Sequence, residues 1–134
     1  MEPIEKVDKY LTDAKVFFLA TEDGDQPKVR PLGYHQLEEG KIYFSLGDFK
    51  EVYKQILKNP KVEIVANIGG KFLRYYGIAT FEEKPELAKA ALDAFPILKK
   101  VYNEETGNKL ELFYLKNATA EFRNMMEIEE SYTF

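Results

Sequence analysis

Along residues 3–14 the apolar positions Ile4, Val7, Leu11 and Ala14 lie three or four apart, so they share one face of a helix. At 15–22 the pattern changes to a short apolar run rich in Val, Phe and Leu, which predicts a buried strand. Asp23-Gly24 closes that run with residues suited to the positive φ of a hairpin turn, and 26–37 is the return strand. A second turn, Leu37 to Lys41, leads into a third strand at 41–46. The next helix carries Phe49, Val52, Tyr53, Ile56 and Leu57 at helical spacing. Asp48 and Glu51 match a capping box at its start, and Asn59-Pro60 stops it. Residues 61–68 alternate apolar and polar, Gly69-Gly70 breaks the run, and a long aromatic strand follows at 71–81. Gly77 inside that strand marks a bulge or a point of close packing. Pro85 opens a third helix with Leu87, Ala88, Ala91, Leu92 and Phe95 on one face, and Pro96 ends it. A short helical turn is predicted within 97–103 and a loop at 105–108. Two further strands, 109–115 and 117–123, complete the pattern, while the acidic and aromatic stretch 125–134 predicts no element.

Six or seven strands, several joined by tight turns, imply antiparallel pairing and a mainly β (α+β) fold. The economical arrangement is a small antiparallel barrel with short flanking helices, because closure removes sheet edges. The 134 residues make one domain, 1–134, with no internal repeat. A formal net charge of −4 argues against a nucleic-acid partner. No apolar run reaches the roughly 18 residues of a membrane span. The opening MEPIEKVDKY has neither the basic nor the apolar region of a secretion signal, and cysteine is absent. The expectation is a cytoplasmic protein without disulfides.

Little in the chain suggests acid–base or metal chemistry. His35 is the sole histidine and falls on a predicted strand, where a structural role is the simpler reading; no metal site is expected. The acidic pairs at Asp23/Asp25, Glu38/Glu39 and Glu82/Glu83 fall at turns and strand ends, as solvated charge does. Two basic places stand out instead. Val29-Arg30-Pro31-Leu32-Gly33 puts an arginine beside a proline and a glycine inside a strand pattern, where a ladder opens and a ligand can approach the backbone. Ser45-Leu46-Gly47-Asp48-Phe49-Lys50 runs from a strand end into a helix start, a place suited to phosphate.

The order of these segments resembles the FMN-binding split-barrel proteins related to pyridoxamine 5'-phosphate oxidase. The run from Ala20-Thr21 through Gly24 and Pro27 to Val29-Arg30-Pro31 is similar to their opening hairpin. Lys50 at a helix head, Asn59-Pro60-Lys61-Val62 and Gly77-Ile78-Ala79 follow in the family's order. The resemblance implies a six- to seven-stranded Greek-key split β-barrel, a homodimer, and FMN in a cleft between the subunits. It implies that Val29, Arg30 and Pro31 line the flavin ring and that Ser45 and Leu46 lie beside ring and phosphate. Lys50 would contact the phosphate with help from Lys54, and Leu73 and Arg74 would face the partner's flavin. A small-molecule oxidoreductase is the function implied, with a non-catalytic carrier or sensor as the alternative, and haem or a deazaflavin as alternative cofactors. Phe49 stands where many relatives have Ser or Thr, and the chain has no Trp. The C-terminal Arg and His substrate elements of true pyridoxamine phosphate oxidases have no counterpart here, which argues against that particular activity.

Overall fold

The first helix forms over Pro3–Ala14 (α1) in a computed structural model that describes residues 1–134. Its apolar face is anchored by fully buried Val7 and Leu11. Four strands follow: Phe17–Asp23 (β1), Gln26–Leu32 (β2), His35–Glu38 (β3) and Lys41–Gly47 (β4). Helix Glu51–Lys58 (α2) leads to Lys61–Ile68 (β5) and Lys71–Glu82 (β6). Helix Pro85–Ala94 (α3), a 3₁₀ turn at Pro96–Lys100, and strands Leu110–Asn124 (β7) and Ile128–Thr133 (β8) complete the chain. No helix is long and apolar enough to cross a membrane.

All pairings are antiparallel, in the order β2-β1-β5-β6-β7-β4-β3, with β8 added beside β7. The ladder does not close: it is the split barrel that the resemblance implies, without the full closure that the strand pattern alone suggests. Its two end strands, β2 and β3, are consecutive in the chain and joined only by Gly33-Tyr34. What the pattern predicts as one strand at 26–37 is therefore two: the first part pairs with β1, and the second crosses the split to pair with β4.

The opposite correction applies at the other end. The strands expected at 109–115 and 117–123 are one strand, β7, interrupted by an irregularity at Asn117, whose φ is 51°. Register against β6 shifts there, between Tyr76 and Ile78. Inward positions on β7 consequently change from Phe113 and Leu115 to Ala118 and Ala120, and a change of parity looks like a break in a sequence. Gly77 lies opposite this irregularity and is also a point of close packing. The unassigned tail supplies β8, held through Lys6 Nζ, which donates to Glu130 Oε1 and to the Tyr132 hydroxyl, both at 2.9 Å.

Directly paired residues share a face of the sheet. Leu19, Ile64, Tyr75 and Ala120 form one such inward row, packed with Val7, Leu11, Val52 and Ile56 of the helices into the main core. Phe18, Val65, Arg74 and Glu121 form a row on the outer face. Helix α3 covers a different part of that face, where Leu87 packs with Tyr43 and Leu112.

Candidate functional site

Helix α2 connects β4 on one side of the split to β5 on the other, and it brings the two basic segments near each other. The capping box expected at Asp48 and Glu51 does not form. The helix begins two residues later, with Lys50 at the N-cap and no side-chain cap. Asp48 instead exchanges two bonds with Lys109: its N–H donates to the Lys109 carbonyl at 2.9 Å, and its Oδ1 accepts from the Lys109 N–H at 3.0 Å. Lys50 Nζ is exposed, has no carboxylate partner, and lies 5.9 Å from the centre of the Phe49 ring. Phe49 packs with Tyr102, their ring centres 5.9 Å apart, and the two rings crowd Gly47, so a side chain there would require them to turn.

The buried face of α2 is also rotated from the one its apolar spacing predicts. Val52, Gln55 and Ile56 are buried, while Phe49 and Leu57 are exposed. Gln55 on α2 meets Arg30 on β2. Alternation along β2 divides Val29-Arg30-Pro31 between two faces. Arg30 is paired with Leu19 and points inward, whereas Val29 and Pro31 are exposed on the outer face beside Ala20 and Phe18. Arg30 donates to the Leu19 carbonyl, to Thr21 Oγ1 and to Gln55 Oε1. Partial burial lowers its pKa, since desolvation disfavours the charged form.

The remaining sequence-derived residues are scattered. Ser45 is half-buried and paired with Leu112, on the face that carries Tyr43. Leu46 and Leu73 are core residues, so a ligand meets at most their backbone. Lys54 is paired with Glu51 at 3.2 Å, and Arg74 forms a two-pronged pair with Glu63 at 2.8 and 3.0 Å. Both charges are thus already compensated. The structure brings Arg30 to α2 and leaves Lys50 at the head of the same helix, five residues or about 7 Å along its axis from Gln55. Thr21 and Gln55 are absent from the sequence-derived set. Gln55 lies beside the predicted apolar stripe of α2 and does not interrupt it, so the sequence carries no local signal for either residue.

His35 contributes to structure on the inward face of β3, where it meets α1. Its Nε2 lies 3.1 Å from Asp8 Oδ1 and 3.1 Å from Thr12 Oγ1, tying β3 to α1.

Residues 4–122 match the family described as pyridoxamine 5'-phosphate oxidase. The chain belongs to that family. Among solved structures it is similar to a NimC/NimA family protein from Clostridium acetobutylicum, at 31% identity, a TM-score of 0.84, and coverage of 100% of this chain and 95% of the other. General Stress Protein 26 from Bacillus anthracis shares the fold at 16% identity and a TM-score of 0.72, each chain covered 100%. A heme-binding protein from Mycobacterium smegmatis does so at 20% identity and a TM-score of 0.65, over 99% of this chain and 59% of that one. No curated protein matches the chain. The family and the antiparallel, unclosed split-barrel architecture agree.

Proposed function

We propose that the chain is an FMN-binding flavoprotein, a small-molecule oxidoreductase whose cofactor lies where two copies of the chain meet. The observation that carries this reading is the state of Arg30. Of the three arginines, Arg74 and Arg123 each hold a glutamate, whereas Arg30 has only neutral partners. A partly desolvated cation without a counter-charge is costly unless an anion completes it.

The residues present suit FMN. Lys50 and the uncapped N–H groups at the start of α2 offer a phosphate a point charge and backbone donors. Arg30 offers a fixed positive charge to the electron-rich edge of a reduced flavin. Bound FMN would supply the hydride and electron chemistry, and the chain would supply position, charge and exclusion of water. Haem suits the site less well, because the Nε2 of the sole histidine already faces Asp8 and Thr12.

Support for a shared cleft comes from the outer face of β1 and β2. Phe18 and Val29 are 43% and 63% exposed there, beside Pro31, where α3 does not reach. Two copies meeting on this face would bury those side chains and enclose a ligand at the split.

Variants at the two cations test the assignment. Lys50→Gln is expected to weaken FMN about 10-fold and leave riboflavin, which lacks the phosphate, unchanged. Arg30→Ala is expected to weaken both or to shift the flavin potential. Wild-type affinity and potential in both variants would remove the basis of the reading. Turnover with NAD(P)H and an acceptor separates an enzyme from a carrier.

A further inference from the structure

Arg30, Thr21 and Gln55 form a closed hydrogen-bond triangle whose unused capacity can be worked out atom by atom. Arg30 Nη1 donates to Thr21 Oγ1 at 2.7 Å and to the Leu19 carbonyl at 3.2 Å. Arg30 Nη2 donates to Gln55 Oε1 at 3.0 Å, and the Thr21 hydroxyl donates to the same oxygen at 2.6 Å. A guanidinium only donates, and a hydroxyl that accepts from it is free to send its own proton onward. These two facts orient the Gln55 amide, with its oxygen toward Arg30 and Thr21 and its Nε2 directed away.

Gln55 is only 9% exposed, yet its Nε2 donates to nothing in the chain. Nor is that nitrogen walled in, since Tyr10 Oη and Arg123 Nε are the enclosed side-chain atoms without a partner. Apart from one lone pair on Thr21 Oγ1, what the triangle leaves over is donors: both Nε2 hydrogens, Arg30 Nε–H, and the second hydrogen of Nη2. Amide bond lengths keep Nε2 within about 5 Å of Nη2, a span that two oxygens of one group can bridge.

We propose that Gln55 is a ligand-binding residue: its Nε2 and Arg30 together hold the acceptor oxygens of an anionic ligand, and Thr21 fixes the polarity of the amide. The identity of the ligand rests on the flavin reading, because FMN carries such oxygens on its phosphate and on the dione edge of its ring.

The test follows the Gln55 side-chain amide signals of the wild-type protein by NMR, assigned by their absence from whichever of Q55E and Q55M folds. FMN, riboflavin and inorganic phosphate are titrated separately. Saturable shifts with FMN and phosphate place the phosphate at Gln55; shifts with FMN and riboflavin but not phosphate place the ring edge there. Shifts with phosphate in a protein that binds no FMN retain the anion site and refute the flavin reading alone. Signals unmoved by all three overturn the proposal. Q55E adds an affinity test, since it preserves the shape and the oxygen facing Arg30 and Thr21 while replacing the free donors by a carboxylate oxygen. It is expected to unfold near the wild-type temperature and to bind FMN about 10- to 100-fold more weakly. A folded Q55E with wild-type affinity for FMN would also overturn the proposal.

Discussion

A single methyl group has no room at Gly77. A Cβ there would stand 2.9 Å from the Lys116 carbonyl oxygen and 3.0 Å from Ala118 Cα, both backbone atoms that no rotamer change can move. Gly77→Ala is expected to destabilise by about 1–3 kcal/mol, seen as a lower urea midpoint at unchanged slope. A wild-type midpoint would mean that β6 and β7 do not approach so closely. Gly47 is a softer case, since its crowding comes from the rings of Phe49 and Tyr102, which can turn. The same distinction between backbone and side chain explains which single residues are legible in the sequence. Gly77, Arg30 and Lys50 stand out because each breaks or punctuates a local pattern. Gln55 and Thr21 do not, because their importance is a contact between α2 and β1, 34 positions apart in the chain. Leu73 shows the reverse. Its neighbour Arg74 is outside, and strand alternation alone sends Leu73 into the core.

Among the elements, α1 follows its helical period, and β1, β5 and β6 follow the strand period closely, because each keeps one inward parity along its length. Where the chain changes neighbours, the period misleads. The alternation at 26–37 runs on while the strand leaves β1 for β4, and β7 changes its inward parity midway while remaining one strand. The outer face of β6 and β7 also carries a pH-dependent contact. Tyr76 donates to Glu121 Oε2 at 2.7 Å and Arg123 donates to Glu121 Oε1 at 2.6 Å. The Tyr76 hydrogen bond, with Arg123 assisting, holds the Glu121 carboxyl below its ordinary range, while burial acts in the opposite direction. A lowered folded pKa means that the contribution is complete above the unfolded value, about 4.3, and is lost as pH falls through the lower folded one. Glu121→Gln is therefore expected to be less stable than wild type at pH 7, with the gap narrowing below about pH 4. Denaturation at three pH values decides this; a gap independent of pH would contradict it.

For the molecule as a whole, the unclosed ladder is the organising feature. The chain itself, through Gly33-Tyr34 and α2, spans the gap that a hydrogen-bonded ladder would otherwise close, and the uncompensated cation lies along that gap. Sequence patterning conveys the antiparallel character but neither the count of eight strands nor the split, because which strands pair is a property of the assembled sheet. The proposed dimer belongs to this scale. Phe18→Asp places a charge on the exposed face of β1 without disturbing the core, and it is expected to yield monomers by sedimentation at micromolar concentration and to weaken FMN. A variant as dimeric and as tight-binding as wild type would mean that the subunits meet elsewhere. The central claim is most directly tested by visible absorption of the purified chain during titration with FMN. The account predicts a saturable flavin spectrum at one FMN per chain. A protein that stays colourless after removal of free flavin, with no change in the FMN spectrum on mixing, would contradict it.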